Sequence, residues 1–554
     1  MAYGLSQSAD GQGNRQRVKA DTHYAKGNRR YAIGDKQYAA CLTLAGAILR
    51  VLPLTENRFH PDEALYASFA RLIASGRDPL LASVVVDKPP LPFYLMAASM
   101  TLFGPSELAA RLPSFFASVV SIALIYALAR ALYDGWTALL GGLFLALSPF
   151  AISFAVTAFT DPLHVALLLW AAFAAVRGKW LLSGIAAGLA LATKQTTVII
   201  IPLIVGLGIM CRVTRDECRV SGVTRHSSLV THLSFFIAPL LISTALISVW
   251  DFFRHASVGF WAQGYTDNVP GRFIRAAEVW PRLEELGRLL SYFTASPIIN
   301  ALVLIGLPLL LINDVLRRPR RFDSLTDLGL TAFALAYLGA YWLLAFNLWD
   351  RYFLAILPLA CLLLARAACH VSSVVFHVSR ITHHVSRRAF PCTPAPRHPV
   401  TRRSPLIAFL PLFIAHCSLL VLLLPPALTA AHSGFPLGGD HEAYDGINEA
   451  ARYLRTLPKG AVLYDHWLSW EWRYYLDEAA VYIVWMPDPQ TLEADLRAFG
   501  RASPRYFVSP SWESDAEMQR AAAAAGFAFQ PVLATHRRDG SVSFVVYRLV
   551  AGNR

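Results

Sequence analysis

The chain has 554 residues, 55% of them hydrophobic and 16% charged, with a mean hydropathy of +0.42. A soluble globular protein of this length rarely has that composition, so the sequence reads as a polytopic membrane protein with room for about one soluble domain. The net charge of +13 invites a nucleic-acid reading, but the charge forms no patch. Residues 1–37, 177–179, 212–230, 313–325 and 369–405 together hold 23 Lys or Arg against 7 Asp or Glu. Segments 55–107 and 251–293 hold 9 basic and 11 acidic residues. This asymmetry places the basic segments in the cytoplasm and gives nucleic-acid binding little support.

Residues 1–37 are polar and basic, without an apolar core or a small-residue cleavage site, and read as a disordered cytoplasmic tail rather than a cleaved signal peptide. Eleven apolar runs follow as expected crossings: Tyr38 to Leu54, Leu108 to Leu132, Trp136 to Phe154, Pro162 to Val176, Trp180 to Thr193, Thr196 to Cys211, His232 to Trp250, Thr294 to Ile312, Leu328 to Phe346, Tyr352 to Ala368, and Leu406 to Leu424. The run Pro89 to Phe103 is shorter than the roughly 17 to 25 residues of a usual span. If it crossed, the basic clusters around Arg215, Arg318 and Arg387 would all lie outside, so it is expected to lie in the outer interface. Likewise, basic residues at both ends of Trp180 to Cys211 predict a hairpin with Lys194 at its outer turn.

In the basic loop 369–405, His370, His377 and His384 recur every seven residues. Ligands two helical turns apart, with no Cys or carboxylate to complete the set, make a low-complexity loop the better reading than a metal site. None of the seven cysteines falls in the outer loops or the C-terminal domain, so no disulfide framework is expected. After Leu424 the pattern becomes alternating α/β: a helix around Glu442 to Leu457, then strands at Ala461 to Tyr464, Ala480 to Trp485 and Arg505 to Val508 separated by helices, and two closing strands. This is expected to be a small three-layer domain over residues 432–554, outside the membrane.

Several charged residues fall where the expected spans meet the outer face. Asp62 and Glu63 follow the first span and Lys88 lies in DKPPL; Asp161 lies in AFTDPLH, Lys194 in ATKQT, and Asp350, Arg351 and Tyr352 in LWDRYF. Each has a structural reading. Asp62 after Pro61 could cap a helix whose dipole Glu63 complements, Asp161 before Pro162 could cap another, and Asp350 could pair with Arg351. The functional reading is that carboxylates and cations converge on one membrane face. The sequence has no phosphate-cradling Gly-x-x-x-x-Gly-Lys-Ser/Thr loop and no Asp-x-Asp pair for a metal-bound nucleotide sugar. A sugar on a lipid phosphate needs only a base for the acceptor hydroxyl and cations for the departing phosphate.

The runs PDEALYASFARLIASGRDPL, DKPPLPFYL, LFGPSELAARLPSFFASVVSIALIYALAR, SPFAISFAVTAFTDPLHVALLLWA and GLALATKQT resemble the bacterial GT-C membrane glycosyltransferases related to protein O-mannosyltransferases and the lipid A aminoarabinose transferase. That resemblance covers residues 40 to 210 and, more weakly, DRYFLAILP. It implies a GT-C-like membrane domain over residues 38–426. It further implies Asp62 as the base or acceptor-orienting carboxylate with Glu63 its neighbour, Asp161 in the same cavity, Lys194 and Arg351 on the donor phosphate, and Lys88 on that phosphate or positioning the first loop. Arg111 would brace the loop, and Thr160, Asp161 and His164 occupy the second acidic motif, where the family often carries an acidic or larger polar residue. The expected reaction moves a sugar from a polyprenyl-phosphate donor to a lipid, glycan or protein acceptor outside the plasma membrane, by inversion, with no cofactor or essential metal. A transporter or flippase of lipid-linked sugar is the competing class, although the sequence shows no repeated halves and its charges lie at the outer surface rather than the midplane.

Overall fold

Helices are the economical way to carry apolar sequence through lipid, because each satisfies its own backbone. The computed structural model describes residues 34–217, 229–268, 271–317, 322–371 and 405–552. Most of the expected tail 1–37 and of the basic loop 369–405, with His377 and His384, lies outside the described residues. The helices of the membrane region are α1 (Gly34–Thr55), α2 (Pro61–Ala74), α3 (Leu91–Phe103), α4 (Glu107–Leu132), α5 (Gly135–Leu147), α6 (Pro149–Ala155), α7 (Asp161–Val176), α8 (Trp180–Leu191), α9 (Thr197–Glu217) and α10 (Leu229–Arg254). They continue with α11 (Phe260–Asn268), α12 (Val279–Ser291), α13 (Pro297–Arg317), α14 (Phe322–Leu343), α15 (Leu357–Val371) and α16 (Pro405–Ala431).

Among the described residues four helices, α1, α4, α10 and α13, are long and apolar enough to cross a membrane, or five with the bent pair α5 and α6. The other expected crossings correspond to helices α7, α8, α9, α14, α15 and α16, and Pro89 to Phe103 is the 13-residue α3.

One expected span is broken. Trp136 to Phe154 is not a single helix but α5 and α6, bent by 55° at Ser148. Pro149 has no N–H for the continuing ladder, and Ser148 caps the new helix by accepting from the Ala151 N–H at 3.4 Å. The break leaves carbonyls at the end of α5 without helical partners. Arg50 of α1, fully buried, donates to two of them, Leu145 and Ala146, each at 3.0 Å. The bend is therefore held by a buried arginine that needs no carboxylate.

The C-terminal domain adds α17 (Ile447–Leu454), α18 (Ser469–Tyr475), α19 (Pro489–Phe499) and α20 (Ala516–Ala524) around strands β1 (Val462–Asp465), β2 (Tyr482–Trp485), β3 (Arg505–Pro510), β4 (Phe527–His536) and β5 (Val542–Ala551). The sheet order is β2-β1-β3-β5-β4, with β1 parallel to β2 and β3 and the β4–β5 hairpin antiparallel. Alternation sends successive side chains to opposite faces. Val462 and Tyr464 of β1 pack in a core with Leu492 and Leu496 of α19, whereas Leu463 joins the large core that continues into the membrane helices.

The two regions meet chiefly where α18 lies on α2. Arg71 pairs with Asp477 at 2.7 Å, and the Tyr475 hydroxyl donates to Glu107 at 2.5 Å and accepts from the Phe59 N–H at 3.1 Å.

Candidate active site

The first acidic motif divides into two unlike carboxylates. The N-cap of α2 is His60, not Asp62: its Nδ1 accepts from the Asp62 N–H at 3.2 Å, while the His60 N–H donates to Glu63 at 3.1 Å in a reciprocal capping box. Glu63 is fully buried. It also accepts from the Ala158 N–H at 2.7 Å and from Arg111 Nε at 3.2 Å. Arg111 donates onward to the carbonyls of Asn57 at 2.8 Å and Arg58 at 2.9 Å, so Glu63 and Arg111 fasten the segment after α1 to α4 and to the turn before α7.

Relieved of capping, the Asp62 side chain forms an ion pair with Arg351. Burial raises its pKa, but the Arg351 charge and hydrogen bond, with His60 and Lys88 adding to them, outweigh burial and hold Asp62 below the ordinary carboxylate range. Burial acts the other way on the His60 imidazole, lowering its pKa and favouring the neutral ring whose Nδ1 can accept.

The second acidic motif is also not a cap. Thr160 precedes α7, and Asp161, its first residue, turns its carboxylate to Lys194 at 2.5 Å. Both side chains are about 95% buried, with 4% of each residue exposed. Pairing offsets the cost of burying each charge. Lys194 sits in the turn between α8 and α9. One layer further in, His164 Nε2 shares a 2.8 Å hydrogen bond with Thr197 Oγ1, and that hydroxyl donates to the Lys194 carbonyl at 2.9 Å. His164 therefore braces the lysine turn rather than facing the cavity.

A third pair joins Lys88 to Asp87. Gln195 Nε2 donates to the Asp87 carbonyl at 2.6 Å, and the Leu91 N–H donates to the Ala192 carbonyl at 3.1 Å, so the end of the first loop is stitched to the turn carrying Lys194.

Lys88 and Lys194 line one cavity of about 400 Å³. Its walls are largely aromatic: Phe260 and Trp261 from α11, Tyr337 and Tyr341 from α14, and Tyr352. The Lys194 ammonium lies 4.5 Å from the Tyr352 ring centre and the Arg351 guanidinium 5.7 Å from the same ring, with Phe159 at 5.2 Å. Cation–π contact of this kind keeps partly desolvated cations in place while leaving their N–H groups available.

The structure thus brings together Asp62, Lys88, Asp161, Lys194, Arg351 and Tyr352, and sets Glu63, Arg111 and His164 behind them. Asp350 accepts from the Arg351 N–H at 2.7 Å instead of pairing with its side chain. Of the aromatic wall, sequence reasoning singled out Tyr352 and passed over Phe260, Trp261, Tyr337 and Tyr341, and it passed over Asp87; the Trp and Tyr content of 251–293 and 337–352 was the available signal. Among the described residues no three His, Cys, Asp or Glu side chains gather as a metal site.

Residues 87–243 match the family model described as dolichyl-phosphate-mannose-protein mannosyltransferase. That segment contains Lys88, Arg111, Asp161, His164 and Lys194, and excludes Asp62 and Arg351. No curated protein matches the sequence. Among solved structures, ArnT from Cupriavidus metallidurans bound to undecaprenyl phosphate is similar over 95% of this chain and 99% of its own, at 17% identity and a TM-score of 0.57. The oligosaccharyltransferase of Archaeoglobus fulgidus, in complex with zinc and sulfate, is similar over 92% of this chain and 72% of its own, at 13% identity and a TM-score of 0.50. The chain therefore has the fold of the GT-C membrane glycosyltransferases, as its motifs suggested.

Proposed function

We propose that this protein is a membrane glycosyltransferase that moves a sugar from a polyprenyl-phosphate donor to an acceptor outside the membrane, with inversion. The observation that carries this reading is the single cavity lined by Lys88 and Lys194 and walled by aromatic rings, beside the Asp62–Arg351 pair. Cations at one end and apolar walls around them suit an anionic phosphate on a hydrocarbon tail. The mannosyltransferase family model over residues 87–243 and the GT-C fold support the same class of reaction.

In this reading Lys88, Lys194 and Arg351 hold the donor phosphate and stabilise the charge it gains on leaving. Asp62 accepts the proton of the acceptor hydroxyl, and Asp161 holds Lys194 in place. Arg351 has two possible partners. Paired with Asp62 it keeps that carboxylate ionised; as Arg351 turns toward the departing phosphate, Asp62 regains proton affinity when the attacking hydroxyl gives up its proton. The phosphate needs no acid.

The topology we propose has eleven crossings, a cytoplasmic N-terminus and residues 432–554 outside, which puts α2, α3 and the cavity mouth at the outer face with the donor headgroup. The acceptor is a lipid, a glycan or a protein. The deciding experiment is mass spectrometry of lipid-linked sugars and glycoconjugates in a deletion strain. An accumulated polyprenyl-phosphate sugar is the expected result, identifying the donor directly. Unchanged lipid-linked sugars and glycoconjugates would refute the assignment.

A further inference from the structure

The segment joining α16 to the C-terminal domain, residues 432–446, runs across the back of the candidate site instead of looping free. It touches the outer loop of the first span at several points. Asn57 Nδ2 donates to Ser433 Oγ at 2.7 Å, and Asp440 accepts from the Arg58 N–H at 3.3 Å and from the Tyr444 N–H at 3.1 Å. Two adjacent glycines make the closest approaches. The Gly438 N–H donates to Asp350 Oδ2 at 2.9 Å, and Asp350 Oδ1 accepts from the Arg351 N–H at 2.7 Å. Gly438 has φ +83°, and a Cβ there would lie 2.9 Å from the Ser153 carbonyl oxygen. At Gly439 a Cβ would lie 2.8 Å from Glu63 Oε2, an oxygen already held by the His60 N–H.

We infer that this strap positions the Asp62–Arg351 pair from both sides, Gly438 through Asp350 beside Arg351 and Gly439 through Glu63 beside Asp62. Gly438, Gly439 and Asp350 are thus positioning residues, and the C-terminal domain is coupled to the site through them. Neither glycine can be replaced without a shift: one neighbour is a backbone carbonyl, and the other is a carboxylate fixed by backbone and arginine donors. The inference rests on the reaction proposed above.

The test uses the full-length protein in membranes, with the lipid-linked sugar that accumulates in a deletion strain as donor. Asp62 faces Arg351, His60 and Lys88, and, more distantly, Tyr66, Tyr444 and Glu471. Loosening its partner should let it return toward the ordinary carboxylate range. In Gly439→Ala and Asp350→Asn the acid limb of the pH–rate profile should therefore move up by about one pH unit, with a loss of rate that approaches tenfold only on the acid side of that limb and vanishes near neutral pH. Asp350→Asn is nearly isosteric and decides the matter if Gly439→Ala does not fold. Transfer with an unmoved acid limb in the folded variants overturns it, because damage to structure alone lowers the amplitude of the profile without displacing it. If the wild type itself does not consume the accumulated donor, the functional reading has failed and the strap's role falls with it.

Discussion

Arg351 and Asp62 are 289 residues apart in the chain and form an ion pair beside the cavity, next to its wall residue Tyr352. The same guanidinium packs on Phe159 and Tyr352, the ring that Lys194 also contacts. One arginine thus connects the base candidate to the phosphate-binding candidates. Moving it affects both halves of the proposed chemistry.

Replacing Asp62 tests the base directly. Asp62→Asn keeps the shape of the side chain and removes its proton affinity, and a positioned base contributes about 10² to 10⁴ in rate. Transfer by the purified variant should fall by that factor while thermal unfolding stays near wild type. Wild-type turnover would exclude Asp62 as the base.

Glu63, one residue on, should behave differently. Its carboxylate is fully buried against Arg111. Glu63→Gln leaves that arginine without its counter-charge, a change that typically costs about 3 to 5 kcal/mol. The expected result is a lower unfolding temperature, with transfer lost through folding rather than at the chemical step. A variant of wild-type stability and no transfer would instead place Glu63 in the reaction.

Lys194→Ala should weaken binding of a polyprenyl phosphate such as undecaprenyl phosphate more than it slows turnover at saturating donor. Asp161, its buried partner, would then stand alone, so Lys194→Ala with Asp161→Asn should be more stable than Lys194→Ala by itself. Quenching of Trp261, which lines the cavity, offers the binding readout. Equal affinity for undecaprenyl phosphate in wild type and Lys194→Ala would remove the lysine from the donor site.

The C-terminal domain should lose stability as the pH rises. Burial pushes the Glu471 carboxyl from 4.5 up to about 8, with the charges of Asp465 and Asp62 adding to the effect. The folded domain keeps a proton that the unfolded chain releases. The stability this group contributes is fully present below pH 4.5 and is lost as pH rises through about 8. The unfolding temperature should therefore be lower at about pH 8.5 than at about pH 5, and Glu471→Gln should narrow the difference. An unchanged difference in that variant would assign the pH dependence to other groups.

Sidedness is open to labelling in a cysteine-free background. Cysteines at the exposed positions Gly76 and Ser514 should react with an impermeant reagent from outside, and one at Lys179 only after permeabilisation. Reaction at Ser514 from the cytoplasmic side alone would overturn the proposed topology.

The sequence by itself determined the membrane class, the positions of most helices and the alternation of strands and helices after Leu424. Hydropathy and periodicity are local properties, written in neighbouring residues. It also marked the acidic and basic residues of the candidate site, because charge next to apolar spans is conspicuous. Only the tertiary structure decided what those charges do. Asp62 and Asp161 both precede or begin helices beside a proline, and local rules read both as caps. Folding gave the cap of α2 to His60 and turned the two carboxylates toward Arg351 and Lys194. The break at Ser148 and the glycine strap at Gly438 and Gly439 likewise depend on Arg50, Ser153 and Glu63, which lie far away in the chain. Electrostatic and steric energies depend on separation in space, not along the chain, so a pairing of residues 289 apart becomes visible only once the helices have packed.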